Sequence, residues 1–176
     1  SSIGYTLGAD VEKLTLTGTA AINGTGNSLA NTLTGNAADN VLDGGTGADV
    51  IRGGTGDDTY LVDESTDQVI ESADEGIDEV QTTLNSHVLE ANVENLIFTG
   101  QGDFTAVGNA LANQLVGACG NDRMLGGEGN DLLIGEHGDD ELGGEAGADR
   151  LMGGHGNDVL SGGEGADTFV FDTAPG

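Results

Sequence analysis

Apolar residues recur at every ninth position in two stretches of the chain, 26–61 and 108–170. The first stretch contains four nine-residue units and the second contains seven, and Gly stands at position one in all eleven. Position six is always Asp or Asn. A low-complexity chain would not keep these positions so strictly, and a nine-residue period is typical of a solenoid. Position eight is apolar throughout: Leu33, Leu42, Ile51, Tyr60, Leu115, Met124, Leu133, Leu142, Leu151, Leu160 and Phe169.

Each unit divides into a six-residue turn and a three-residue strand. Gly at positions one, two and four permits left-handed backbone angles, and such a turn directs its carbonyl groups inward. The strand is short, so only position eight faces the interior. Two units then form one coil, and units n and n+2 stack about 4.8 Å apart.

A longer repeat encloses the nine-residue blocks. The segment YTLGADVEKLTLTG at 5–18 matches HVLEANVENLIFTG at 87–100, an offset of 82 residues. Between the blocks, TYLVD, DQVIES and DEVQTTL alternate as short strands do. We therefore predict an all-β fold, with 1–176 as a single continuous solenoid: a first block at 26–61, longer strand coils at 62–107 and a second block at 108–170.

Composition limits the partners of the chain. Asp and Glu number 31 against 4 Lys and Arg, a formal net charge of -27. Such a surface repels nucleic acid and anionic lipid, which bind Lys and Arg. No apolar run approaches a membrane span. Aromatic residues make up only 3% of the chain, and Cys119 is the single cysteine, so neither a large aromatic core nor an internal disulfide holds the fold. The carboxylates must be neutralised if the chain is to fold.

Glycine and aspartate vary together along the repeat. Position four is Gly in eight units, and the same eight units carry Asp at position six. In the other three units, Leu29, Ala38 or Leu111 accompanies Asn31, Asn40 or Asn113. A mere preference of Asp and Gly for turns does not require this covariation, whereas one shared binding function does.

The predicted stacking places the aspartates in two columns. Asp131, Asp149 and Asp167 share one side, and Asp122, Asp140 and Asp158 share the other. Carboxylates at this spacing repel by about 1 kcal/mol in water and by several at a low effective dielectric. A cation between them would remove the repulsion. Carboxylate and carbonyl oxygens in a flexible arrangement suit Ca²⁺ better than Mg²⁺, and they exclude Zn²⁺ as the intended ion.

The GGxGxDxUx units resemble the RTX (repeats-in-toxin) family of calcium-binding nonapeptide repeats. The resemblance implies a right-handed parallel β-roll with Ca²⁺ between stacked turns. In that family, one turn supplies the carbonyls of positions two and four and its Asp. The turn two units later supplies the carbonyls of positions one and three and its Asp.

Carried onto this chain, the resemblance implies four complete sites. On one side, the first site uses Gly127, Gly129, Asp131, Gly144, Ala146 and Asp149, and the next uses Glu145, Gly147, Asp149, Gly162, Glu164 and Asp167. On the other side, the sites use Ala118, Gly120, Asp122, Gly135, His137 and Asp140, then Glu136, Gly138, Asp140, Gly153, His155 and Asp158.

The chain also departs from the family pattern. Ala118, Glu136 and Glu145 replace the second Gly, which is expected to strain their turns. In the first block Asp49 pairs with Asp67, and Asp58 has no clear partner in register. The units with Asn31, Asn40 and Asn113 are expected to be metal-free opening coils.

Cys119, His137 and His155 recur at position three of every second unit, so they share a column that would suit a soft metal. Three exposed turn side chains at a variable position are the simpler interpretation. The motifs of zinc proteases, serine hydrolases and P-loop enzymes are missing, and we expect no enzyme within these residues.

The sequence predicts a calcium-binding module that folds on Ca²⁺ binding. The resemblance implies that it folds after export through a one-step secretion channel, outside a bacterial cell or on its surface. The ending TFVFDTAPG lacks a secretion tail and the start falls within the repeat, so we expect the rest of a longer polypeptide. Two alternatives remain open. One is a substrate-binding or folding-helper module of a secreted lipase, protease or polysaccharide-modifying enzyme; the other is a structural extender of an adhesin or surface layer, with a polysaccharide or cell-surface partner.

Overall fold

The computed structural model describes residues 4–171, so the last five residues of the ending TFVFDTAPG lie outside the described part of the chain. These residues form 19 short strands, and no helix occurs among them. No stretch of the described chain forms a helix able to cross a membrane. All the strands pair in parallel, with connections that wind from one sheet to another. The prediction of an all-β, parallel β-solenoid is therefore confirmed.

The chain divides into two compact units. The first runs to Gln81 and includes Glu90–Asn92, and the second contains Thr82–Leu89 and the chain from Val93 onward. The prediction of a single continuous solenoid stays a prediction, and each unit is described by itself.

The first unit contains two parallel sheets of very short strands. Its sheets have the orders β1-β3-β5-β7-β9 and β2-β4-β6-β8. Within the nine-residue block, paired residues lie two repeat units apart, as in Leu33 against Ile51 and Leu42 against Tyr60. The strands are β1 (Tyr5–Thr6), β2 (Lys13–Thr15), β3 (Gly24–Thr25), β4 (Thr32–Thr34), β5 (Val41–Asp43), β6 (Val50–Arg52), β7 (Thr59–Val62), β8 (Gln68–Val69) and β9 (Glu79–Thr82).

The second unit repeats this arrangement with the orders β10-β12-β14-β16-β18 and β11-β13-β15-β17-β19. Leu115, Leu133 and Leu151 pair in succession across three strands, again with two repeat units between partners. The strands are β10 (Ser86–Val88), β11 (Asn95–Phe98), β12 (Thr105–Val107), β13 (Gln114–Val116), β14 (Arg123–Glu128), β15 (Leu132–His137), β16 (Glu141–Ala146), β17 (Arg150–His155), β18 (Val159–Glu164) and β19 (Thr168–Val170).

Position eight builds the core, as predicted. Nine of the eleven position-eight side chains are buried, from Leu33 to Leu151. Leu160 is half-buried and Phe169 is 40% exposed. These two lie on the last strands of the described chain, which have a stacked neighbour on one side only. A column of single aliphatic side chains is a thin core, so the turns must contribute much of the specificity of the fold.

The prediction of three-residue strands holds for β4, β5 and β6 but is wrong for β14 to β18, which are six residues long. In the second unit the pairing continues through the turn, with Gly127 against Glu145 and Glu128 against Ala146. The ladder between these coils therefore does not stop at position nine.

Candidate calcium sites

The position-six side chains point inward and connect successive coils. Oδ1 of each position-six Asp accepts a hydrogen bond from the backbone N–H of the residue 18 positions earlier, which is itself a position-six residue except for Phe104, the donor to Asp122. Asp131 N–H donates to Asp149 at 2.9 Å, Asp149 N–H to Asp167 at 3.1 Å, Asp122 N–H to Asp140 at 2.8 Å and Asp140 N–H to Asp158 at 3.0 Å. The two predicted columns therefore exist, and we call them the aspartate ladders.

The second oxygen of these carboxylates has no partner in several rungs. It is buried without a hydrogen bond in five ladder aspartates: Asp49, Asp58, Asp131, Asp140 and Asp149. A buried carboxylate oxygen that accepts nothing carries the full cost of leaving water. A hard divalent cation would supply the missing interaction, so the donor set fits Ca²⁺.

Glycine at position one is required by the ladders. A methyl group added at Gly144 would overlap Oδ2 of Asp149 and lie 2.6 Å from the carbonyl oxygen of Gly162. None of the position-one glycines has a positive φ, so the prediction of a left-handed conformation there is wrong. The glycine is needed because the carboxylate and a carbonyl of the next coil occupy the space of a side chain.

Position four is glycine because of its backbone angle. All eight position-four glycines have φ between 114° and 149°, a region that other residues rarely adopt. The same glycines also leave room for a carbonyl group of the neighbouring coil. A methyl group at Gly147 or Gly165 would overlap the carbonyl oxygen of Gly129 or Gly147 respectively. The position-four carbonyls therefore point along the stack towards the next turn, as a ligand from the earlier turn should.

The position-two replacements differ from one another. Glu136 and Glu145 both have φ of 75°, which confirms the expected strain, whereas Ala118 has no positive φ, so the expectation is wrong for that turn. A methyl group at Gly154 or Gly163 would overlap the carbonyl oxygen of Glu136 or Glu145 respectively. Both strained glutamates thus direct their carbonyls at the next coil.

The carbonyls of position three are already hydrogen-bonded. Those of His137, Ala146, His155 and Glu164 accept the N–H groups of Gly120, Gly129, Gly138 and Gly147 at 2.8–3.0 Å. The carbonyl of Ala118, at position two, accepts the N–H of His137 at 3.0 Å. Each carbonyl has two lone pairs, so one remains for an ion. The structure thus brings the predicted residues of all four sites together, and their ligation of Ca²⁺ stays a prediction.

Burial raises the pKa of the ladder carboxyls. The pKa of Asp131 rises to about 6, first by loss of water and then by the charge of Asp149, against a lowering hydrogen bond from the Asn113 N–H. The pKa of Asp140 also rises to about 6, by burial and by the charges of Asp122, Asp158 and Asp139, against a lowering bond from the Asp122 N–H. Burial likewise raises the pKa of Asp122. Ionised ladders are therefore unfavourable without a counter-charge.

In the first block the predicted pair is present. Asp49 N–H donates to Oδ1 of Asp67 at 3.0 Å, and burial raises the pKa of both carboxyls. Asp58 has no aspartate partner in the nine-residue register, but its N–H donates to Oδ1 of Asp78, which lies two residues out of register, at 2.8 Å. This pair is separated by two residues more than the regular pairs are.

Sequence reasoning missed Asp78 because two extra residues shift the register after Glu71. The signal was nevertheless there: GIDEV at 76–80 repeats the Gly-x-Asp-x-apolar core of positions four to eight. The role of Glu71 could not be predicted from the sequence, because no position of the nine-residue repeat is typically a glutamate.

The position-six asparagines form hydrogen bonds through both polar atoms of their side chains. Oδ1 of Asn31 accepts the Asn27 N–H at 2.7 Å, and Nδ2 donates to the carbonyl of Val11 at 3.2 Å. Asn40 makes the equivalent pair of bonds with Asn36 and Ile22. Both the oxygen and the nitrogen of these amides thus have hydrogen-bond partners within the protein, whereas Oδ2 of several ladder carboxylates has none. The expectation of metal-free opening coils stays a prediction, and these hydrogen bonds give it a physical basis.

The position-three column places His137 and His155 edge to face, with ring centroids 4.8 Å apart. Both rings and Cys119 are exposed, and Cys119 is a free thiol. Among the described residues, this column is not a group whose ligand atoms converge on one point. The simpler interpretation, exposed turn side chains, is favoured.

No curated protein is significantly similar to the chain. The profile of the RTX calcium-binding nonapeptide repeat matches four stretches, 25–60, 107–142, 116–151 and 143–172. The matches coincide with the two blocks that form the aspartate ladders, and together they cover more than half of the sequence. The chain therefore belongs to the family of RTX calcium-binding nonapeptide repeats, and it is a calcium-binding repeat module.

Proposed function

We propose that this module is a calcium-dependent folding switch: unfolded where Ca²⁺ is scarce and folded where Ca²⁺ is abundant, without catalytic activity of its own. One observation carries the proposal. Six ladder aspartates, Asp49, Asp58, Asp122, Asp131, Asp140 and Asp149, are 2% exposed or less, and five of them have a buried oxygen without a hydrogen bond.

No basic side chain neutralises these carboxylates. The four basic residues, Lys13, Arg52, Arg123 and Arg150, are all exposed. Arg123 lies 3.4 Å from Glu141 in a surface ion pair, away from the buried ladder. The counter-charge must therefore come from solution.

The energies support a switch. A buried, unpaired ion costs several kcal/mol even after relaxation, whereas whole domains are stable by only about 5–15 kcal/mol. A few ionised ladder rungs are enough to unfold the metal-free chain at neutral pH. Ca²⁺ binds the folded coils and not the dispersed carboxylates, so binding free energy becomes folding free energy.

The setting follows from the affinity class of such sites. Extracellular calcium modules bind Ca²⁺ with dissociation constants of about 10⁻⁴–10⁻³ M. A module of this affinity stays unfolded in a calcium-poor cytosol and folds outside the cell. RTX repeats are typical of secreted bacterial proteins. Export as an unfolded chain, followed by folding at the cell surface or in the medium, is the role that this arrangement supports best.

The test is circular dichroism of the chelator-treated chain at neutral pH during titration with CaCl₂. We expect a disordered spectrum that converts cooperatively to a β spectrum in the calcium range above. The matched control is MgCl₂ at equal ionic strength, which should leave the spectrum unchanged because Mg²⁺ requires near-octahedral geometry and sheds water reluctantly. A β spectrum that persists in chelator would refute the switch.

A further inference from the structure

The turn at 71–78 of the first unit departs from every other nine-residue turn. Glu71 takes the register of position one, two repeat units after Gly53, where the regular units have Gly. Two additional residues then delay the ladder aspartate to Asp78. A long acidic side chain therefore enters a space that the regular turns leave to a backbone carbonyl.

Three carboxylates converge there. Asp58, Glu71 and Asp78 each offer an oxygen atom, and these atoms lie within 4.8 Å of one another. The side chains are 1%, 8% and 1% exposed. No other group of three acidic, histidine or cysteine side chains converges in this way among the described residues.

Several oxygen atoms in and beside this cluster are buried without a hydrogen-bond partner. Neither carboxylate oxygen of Glu71 has a hydrogen-bond partner of normal geometry, and neither does Oδ2 of Asp58. The hydroxyl of Tyr60, which is fully buried, also has none. A methyl group added at Gly53 would overlap both the Tyr60 hydroxyl and Oδ2 of Asp58, so the phenol reaches the same space as the carboxylates. Tyr60 is the only position-eight residue with a polar atom.

We propose that Asp58, Glu71 and Asp78, with the Tyr60 hydroxyl, form a second type of cation site, in which a hard divalent ion is held mainly by side chains. This site rests on the proposed calcium-dependent function and refines it. The ladder sites place two carboxylates on each ion and complete the shell with carbonyls. Here three carboxylates face one ion, and affinity for Ca²⁺ rises with the number of charged ligands. The site should therefore fill first during a titration.

Tyr60 makes the site directly observable. Tb³⁺ replaces Ca²⁺ at oxygen sites, and its emission is excited through a tyrosine only when the ring is close to the ion. The chain has two tyrosines and no tryptophan. Tyr5 is 55% exposed, so Tyr5→Phe leaves Tyr60 as the single donor without disturbing the core. This variant is the parent for the experiment.

The experiment is a Tb³⁺ titration of the chelator-treated Tyr5→Phe chain, excited at the tyrosine band, followed by competition with Ca²⁺. We expect saturable sensitised emission, displaced by Ca²⁺, with half-saturation below the calcium midpoint of the bulk β spectrum. Adding Glu71→Gln should raise the half-saturating Tb³⁺ concentration by about tenfold or more, since even the loss of an outer-shell partner of a metal ligand typically costs about tenfold or more in affinity. Asp10→Asn, at an exposed position of the first unit, makes the same change of charge and should leave this value unchanged.

Two results would overturn the site. One is a Tyr5→Phe chain that folds with Ca²⁺ but gives no sensitised emission with Tb³⁺. The other is an unchanged half-saturation in the Glu71→Gln chain. If Glu71→Gln does not fold, the emission of the Tyr5→Phe parent decides the matter by itself. A chain that is folded in chelator but still shows Glu71-dependent emission would refute the folding switch and leave the site in place.

Discussion

Asp131 and Asp149 lie on neighbouring coils of the second unit, where the backbone N–H of Asp131 donates a 2.9 Å hydrogen bond to Oδ1 of Asp149. Oδ2 of both residues is buried and accepts no hydrogen bond. One carboxylate oxygen thus connects the coils, and the other is available to an ion.

An inner rung should matter more than an outer one. Asp149 belongs to two of the four predicted sites, whereas Asp167 belongs to one. We expect Asp149→Asn to raise the calcium midpoint of folding by about tenfold or more, since even the loss of an outer-shell partner of a metal ligand typically costs that much in affinity. We expect Asp167→Asn to raise it by less. The measurement is circular dichroism during calcium titration. The exposed Asp10→Asn change carries the same charge difference and should have no effect; equal shifts in all three variants would show that net charge alone sets the midpoint.

The position-one glycines should not tolerate a methyl group. Gly144→Ala places Cβ against Oδ2 of Asp149 and the carbonyl of Gly162. We expect a loss of about 1–3 kcal/mol from overpacking, in addition to a weaker response to calcium. Urea unfolding in saturating Ca²⁺ measures the loss. At Gly8 a new methyl group meets only Val11, at 4.0 Å, so Gly8→Ala is the control. Wild-type stability of Gly144→Ala would contradict the close packing of the ladder.

The strained glutamate at position two offers a stabilising change. Glu145 has φ of 75°. This backbone angle costs a residue with a side chain roughly 1–2 kcal/mol. Glycine would remove that strain, but its greater conformational entropy in the unfolded chain costs about 0.5–1 kcal/mol. We therefore expect Glu145→Gly to stabilise the calcium-loaded chain by about 0.5–1 kcal/mol. Thermal unfolding in saturating Ca²⁺ is the measurement. Ala118→Gly, at the same repeat position without a positive φ, should destabilise, and an equal gain from both changes would rule out backbone strain as the cause.

Acid should partly replace calcium. The folded-state pKa values of Asp131 and Asp140 are raised to about 6 and that of Asp58 to about 7, from an ordinary value of 3.8. A raised folded pKa means that protonation favours the folded form. This contribution is complete below about pH 4 and is lost as the pH rises through about 6 to 7. We expect the calcium-free chain to gain β structure when the pH falls from 8 to 5, while its calcium midpoint rises because protons compete for the ligands. A calcium-free spectrum that is the same at both pH values would contradict the burial of these carboxylates.

Much of the fold could be predicted because the constraint is local and repeated. Leu133 and Leu151 lie in one column because two repeat units complete a coil. The nine-residue period that places them there can be read directly from the sequence. Asp131 and Asp149 share a ladder for the same reason. Where the period breaks, the prediction failed, and Asp78 was missed. The strands predicted for the second unit are too short, because in the structure their pairing continues through the turns.

The sequence by itself determined the parallel β-solenoid, the apolar column, the two aspartate ladders and the chemistry of the ion that they fit, because each follows from a residue type at a fixed position in a short period. Only the tertiary structure decided that position-one glycines make room instead of turning the chain, since that depends on where the carboxylate and a carbonyl of the next coil lie. It also decided that Glu71 meets Asp58 and Asp78 beside the Tyr60 hydroxyl. An insertion changes which residues of neighbouring coils face each other. Contacts between coils depend on how the coils stack, and the sequence does not reveal that stacking where the nine-residue period is broken.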